Sequence, residues 1–99
     1  MSATTRVAVL GAGTMGVGIA VVAARAGFAT TLWDVDDARV EAGTSGVTAF
    51  LSRSVELGKL SPEAGQAAIQ GLGATSTLSD LADVDIVIEA IVEDLDVKK

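Results

Sequence analysis

Apolar and polar positions along the chain alternate in short blocks, and the blocks differ in period. Val7-Ala8-Val9-Leu10 is a run of four apolar residues, partly β-branched, and predicts a short buried strand from about Arg6 to Leu10. The run breaks at Gly11-Ala12-Gly13-Thr14-Met15-Gly16. An Ala-rich segment follows and predicts a helix from about Met15 to Ala26, with Ile19, Val22 and Ala23 on one stripe and Ala26 below them. Gly27 stands where a left-handed residue ends such a helix. Phe28 then turns the chain into a second apolar run, Ala29 to Trp33. A helix of this length between two short strands requires a parallel crossover, right-handed by strong precedent.

The pattern is looser beyond Asp34. The pair Asp36-Asp37 suits the positive end of a second helix, which would carry Val40, Val47, Phe50, Leu51 and Leu57. Gly43 and Gly46 weigh against one continuous rod, since each costs about 1 kcal/mol relative to alanine. Gly58-Lys59-Leu60 reads as a helix end and turn. Ser61-Pro62-Glu63 opens another short helix, with Ser at the cap, Pro at the first position and an acid in the first turn, ending near Gly71 or Gly73. Ala74 to Thr77 predicts a small third strand. Leu78 to Ala82 predicts a turn of helix, with Ser79 and Asp80 available for local capping. Asp83-Val84-Asp85 leads into a last strand, Ile86 to Glu89. The succession is that of an α/β fold with a parallel sheet in the order 3-2-1-4.

The glycines carry the chemistry. Their spacing is G-x-G-x-x-G, set between a strand and a helix, the context in which it signals dinucleotide binding. Gly11 allows the tight turn, Gly13 lets backbone approach a pyrophosphate, and Gly16 lets the helix lie close to the strand. The helix then begins with unpaired N–H groups and a partial positive charge. Alone, the spacing would equally describe a turn that only tightens a strand–helix junction. Asp34 tips the balance. It closes the second apolar run 18 residues after Gly16, where an adenosine ribose presents its hydroxyls. A carboxylate there also favours NAD over NADP, because a 2′-phosphate would meet a like charge. Met15, at the start of a helix expected to be buried, reads on its own as packing. Trp33 reads as a shield over the core, with stacking on adenine as the alternative. Asp36-Asp37 and Asp83 with Asp85 read as capping and turn residues. None has His or Cys company, so no metal site is expected.

Composition narrows the class. The 99 residues suit one domain, and 49% apolar content favours a well-buried core. A formal charge of −6 with no His gives nucleic-acid binding no electrostatic support. The absence of Cys excludes disulfides and thiolate metal ligands. No apolar run approaches membrane-spanning length and the first six residues form no secretory segment, so a cytoplasmic protein without a membrane partner is expected. A complete dinucleotide-binding domain has two mononucleotide halves and needs more chain than this. The acidic run at Glu93-Asp94 starts what reads as another helix just before Lys99, and the last strand would be left as an apolar edge. Residues 1–99 are therefore expected to be part of a truncated domain.

Val9 to Ala20, Asp34, Gly58-Lys59-Leu60 and Asp85-Ile86-Val87-Ile88-Glu89-Ala90-Ile91-Val92-Glu93-Asp94-Leu95 together resemble the amino-terminal domain of 3-hydroxyacyl-CoA dehydrogenases, including the bacterial 3-hydroxybutyryl-CoA enzymes. The resemblance covers essentially the whole chain, is specific in its first and last motifs, and is loose in the middle. It implies a Rossmann-type NAD-binding fold. It implies that Gly11, Ala12, Gly13, Thr14, Met15 and Gly16 cradle the pyrophosphate, and that Asp34, with Val35 beside it, holds the adenosine ribose. It further implies that Ala90, Glu93 and Lys98 line the nicotinamide side. Spacing alone would make Glu93 and Lys98 ordinary charges on a solvated helix start. The implied parent is a homodimer acting on an acyl-CoA. The family's catalytic His, its Glu partner and the substrate-holding Ser and Asn lie beyond Lys99, so no catalytic residue is expected in this chain. Arg53 and Lys59 read as a solvated helix face rather than a CoA-phosphate site. Two alternatives remain: a dehydrogenase of the 3-hydroxyisobutyrate or 6-phosphogluconate type, disfavoured by Asp34 and the long Ala38 to Gly73 segment, and a non-catalytic NAD-binding module.

Overall fold

The computed structural model describes residues 5–90. Their elements are β1 (Arg6–Leu10), α1 (Thr14–Arg25), β2 (Ala29–Trp33), α2 (Asp37–Glu56), α3 (Pro62–Gln70), β3 (Leu72–Thr75), a 3-10 turn (Leu78–Leu81) and β4 (Ile86–Glu89). The four strands are parallel, in the order β3-β2-β1-β4. This is the predicted order. It places the first strand at the centre, with Val7 between Thr30 and Ile86, and Val9 between Leu32 and Ile88.

Val7, Val9 and Leu32 meet Val21, Val47 and Leu51 in one apolar cluster, so helices and sheet share a single core. The three helices touch one another and form one layer. Their ends are set by local chemistry. Gly27 takes a left-handed φ of 95° just past the cap of α1. Asp36 accepts from the Ala38 amide at 2.8 Å, and Ser61 accepts from the Ala64 amide at 3.1 Å, so both sequence-read caps are in place. The Asp83 and Asp85 pair does more than turn the chain. Asp85 accepts from the Arg6 amide at 2.8 Å and its own amide donates to the Arg6 carbonyl, which fixes β4 against β1. Asp83 lies 3.8 Å from the Arg6 guanidinium, an exposed pair that adds little.

Four readings shift. α2 is one unbroken helix of 20 residues despite its glycines. A Cβ on Gly43 would come within 2.9 Å of Ala12 and 2.8 Å of Leu32, and one on Gly46 would meet Val17. Close approach of α2 to the sheet and the glycine turn explains Gly43, whereas the contact at Gly46 is an ordinary one that a Cβ could make, and tertiary packing overrides the low propensity of both. On α1 the buried stripe is Ala20, Val21, Ala23 and Ala24, whereas Val22 is 68% exposed. Phe50 and Leu57 are also exposed, leaving Val40, Val47 and Leu51 as the apolar side of α2. Finally, β3 begins at Leu72, two residues before the expected start. Gly71 caps α3, as its spacing predicts, while its carbonyl already accepts from the Thr30 amide, and Gly73 lies within the strand against the Thr31 side chain, so only Gly73 joins the sheet edge.

Among the described residues no helix is long and apolar enough to cross a membrane.

Candidate cofactor-binding site

The glycine turn is held from both sides. Gly11 has φ of 114°, a conformation L side chains rarely adopt, and its amide donates to the Trp33 carbonyl at 2.7 Å. Next to it the Ala12 amide donates to Asp34 Oδ2 at 3.0 Å. On the far side the Ala90 amide donates to the Leu10 carbonyl at 2.7 Å. The turn is thus tied to the ends of β2 and β4 at once.

The remaining two glycines have different surroundings. A Cβ on Gly16 would overlap the Gly11 carbonyl and sit 3.7 Å from the Ala90 side chain, so α1 can lie this close only without one. A Cβ on Gly13 would meet nothing within 4 Å. Gly13 is the N-cap of α1 and no side chain caps that end, so the first-turn amides open onto this space.

That space is part of a cavity of about 300 Å³ bounded by Gly13, Met15, Asp34, Val35, Arg39 and Ala90. Asp34 is only 8% exposed. The Ala12 amide is the main reason its carboxyl sits below the usual carboxylate range. Burial opposes this, while the Asp36 and Val35 amides and the charge of Arg39 assist it. Asp36 donates to Oδ1 at 3.3 Å. The group is therefore ionised at neutral pH, with lone pairs left after two amide bonds to accept ribose hydroxyls. Open space over Gly13, available helix amides and a fixed anion alongside fit a dinucleotide's diphosphate and ribose. A larger groove of about 530 Å³ runs between α1 and β4 past Val7, Ile19, Val22, Ile86 and Ile88. Its walls are almost wholly apolar and give a phosphate nothing to bind.

The predicted residues largely converge here. Gly11, Ala12, Gly13, Thr14 and Gly16 form the turn and helix start, Asp34 and Val35 one wall, and Ala90 the other. Met15 differs from its reading as packing: it is 55% exposed and flanks the cavity, because the first residues of α1, just past the end of the central strand β1, stand outside the core. Trp33 lines the cavity as well, and its indole nitrogen is buried with no hydrogen-bond partner. Glu93 and Lys98 lie outside the described residues. One residue at the cavity went unread, Arg39, whose only sequence signal is its position five residues after Asp34.

Residues 6–99 match the family model of the 3-hydroxyacyl-CoA dehydrogenase NAD-binding domain. The chain belongs to that family. The 3-hydroxybutyryl-CoA dehydrogenase of Mycobacterium tuberculosis is 44% identical over 96 residues, which are 97% of this chain and 34% of that protein. The 3-hydroxyadipyl-CoA dehydrogenase of Escherichia coli is 41% identical, over 94% of this chain and 20% of that protein. The crystal structure of an Escherichia coli 3-hydroxybutyryl-CoA dehydrogenase superposes with a TM-score of 0.85 at 38% identity, over 97% of this chain and 20% of that one. The chain thus spans about a third or less of these 3-hydroxyacyl-CoA dehydrogenase relatives. Membership fixes NAD as the family's cofactor and decides against the 3-hydroxyisobutyrate and 6-phosphogluconate types.

Proposed function

We propose that this chain is the NAD-binding part of a longer protein that transfers a hydride between NAD and C3 of a 3-hydroxyacyl-CoA, interconverting the 3-hydroxy and 3-keto forms. The observation that carries the reading is the open space over Gly13 beside the ionised Asp34, in a chain whose family binds NAD. When bound, NAD supplies the hydride acceptor. The first-turn amides of α1 hold the pyrophosphate, and Gly13 leaves room for it. Asp34 accepts from the adenosine ribose and, through the Ala12 amide, keeps the turn in shape. Ala12, Thr14 and Met15 complete the phosphate side, and Val35 borders the ribose. Ala90, with Glu93 and Lys98 after it, serves the nicotinamide side.

We place the general base for the 3-hydroxyl, a His, elsewhere in the protein, residues 1–99 containing none. By themselves these residues bind NAD and oxidise nothing. The whole protein acts on an acyl-CoA as a cytoplasmic homodimer. Fluorescence titration with NADH, together with NADH formation from 3-hydroxybutyryl-CoA by the full-length protein, tests the reading. Saturable binding and turnover are expected, and absence of NADH binding would refute it.

A further inference from the structure

One charged group at the cavity has no part in the turn or in the helix cap. Arg39 is the third residue of α2 and lines the same cavity as Asp34. The start of α2 is stitched to the end of β2: the Asp36 amide donates to Asp34 while the Asp36 carboxylate caps Ala38. The backbone of Arg39 therefore has a fixed station beside the Asp34 carboxylate. Among the described residues the ion pairs are Arg6 with Asp83 and Arg53 with Glu56, and Arg39 enters neither. Its charge nevertheless reaches Asp34 and helps keep that carboxyl ionised.

The two charges differ in freedom. Both Asp34 oxygens accept backbone amides, so the anion cannot swing away from an approaching phosphate. Arg39 is exposed on the first turn of its helix and presents a planar fork of N–H donors matched to phosphate oxygens. A fixed carboxylate disfavours a 2′-phosphate, and an arginine at the same rim is the feature that accommodates one. On the strength of the function proposed above, we infer that Arg39 and Asp34 act as a paired ribose clamp, the carboxylate accepting from a ribose hydroxyl and the guanidinium donating at the 2′ position. A 2′-phosphorylated dinucleotide is then a weaker second ligand of this site instead of an excluded one. Asp36 and Asp37 add negative charge nearby, which keeps the unphosphorylated cofactor ahead.

Fluorescence titrations of the full-length protein with NADH and NADPH test the clamp, alongside Arg39→Gln and Arg39→Lys. The unchanged protein should bind NADPH measurably, though less tightly than NADH. Arg39→Gln should cost NADPH about ten- to a hundredfold in affinity, the worth of a charge-assisted contact, and NADH less than about threefold. Arg39→Lys should recover part of the NADPH loss. Equal losses for both nucleotides, unaltered NADPH binding, or NADH binding with none of NADPH would each overturn the clamp. Failure of the unchanged protein to bind NADH would instead overturn the NAD-site reading beneath it.

Discussion

Gly13→Val and Gly16→Ala should separate holding the cofactor from holding the fold. At Gly13 the backbone is extended, with φ −79° and ψ −166°, and a Cβ would point into open space. Replacing glycine also narrows the unfolded ensemble, worth about 0.4–1 kcal/mol, which offsets the weaker capping of a branched residue. Net stability should stay within about 1 kcal/mol, a melting shift below about 8 °C for a domain of this size. The valine, however, occupies the ground between a diphosphate and the α1 amides. Losing two charge-assisted hydrogen bonds at about 1.5–3 kcal/mol each lowers NADH affinity by more than about a hundredfold. Gly16→Ala works the other way. Its Cβ would overlap the Gly11 carbonyl oxygen and lie 2.8 Å from the carbonyl carbon. Those atoms belong to a turn pinned to Trp33 and Asp34, so α1 must lift off the sheet. Overpacking of this kind costs about 1–3 kcal/mol or more, so the melting temperature should fall by at least about 4 °C. Circular dichroism melts and NADH titrations on the same samples read both effects. A valine variant that binds as tightly as the original would mean the phosphates lie elsewhere. An alanine variant that melts with the original would show that α1 does not depend on a bare Gly16.

Asp34→Ser and Asp34→Ala should weaken NADH binding and relax discrimination against NADPH, and Asp34→Ala should also cost about 1–3 kcal/mol by leaving the buried Ala12 amide unpaired; titration showing NADPH bound as tightly as NADH by the unmodified protein would contradict this. Because the folded-state carboxyl lies below its ordinary value of 3.8, its charge-dependent contribution to stability is complete above about pH 4 and fades as pH falls through the folded value, so the gap between the original and Asp34→Ala should narrow in acid melts below about pH 4, the part owed to the Ala12 hydrogen bond remaining. A gap that stays constant would remove the charge from the account. Residues 1–99 expressed alone should self-associate through exposed Val22, Ile86 and Val87 and form no NADH from any 3-hydroxyacyl-CoA; sedimentation as a single cooperatively melting monomer, or turnover, would count against it.

What could be read in the sequence was what local pattern encodes. β1, β2 and the glycine turn announce themselves within Arg6 to Asp34, because an apolar run, a fixed glycine spacing and a strand-end acid are short-range signals. Gly43 could not be read correctly. It looks like a helix breaker until Ala12 and Leu32 are seen packed against it. On α1 Ile19 and Ala23 face the core as the pattern predicts while Val22 and Ala26 do not, because Val21 and Val22 are chemically alike and alanines surround both, so hydrophobicity does not define the phase. Arg39 was invisible for a related reason. An arginine in a polar stretch is ordinary helix surface, and only the stitch between Asp34 and Asp36 brings it to the cavity.

The sheet order also sets a timetable for synthesis. β1 leaves the ribosome first and needs neighbours on both sides. Thr30 follows Val7 by 23 residues, whereas Ile86 follows it by 79. At roughly 5–20 residues per second, the β2 partner is made about 1–5 s after β1 and the β4 partner about 4–16 s after it. Throughout that interval one side of Val7 and Val9 lies bare, open to nascent neighbours or to a chaperone. The pairing of Asp85 with the Arg6 amide closes that side, so of the two inner strands of the described sheet the one made earlier is the later to gain its second neighbour.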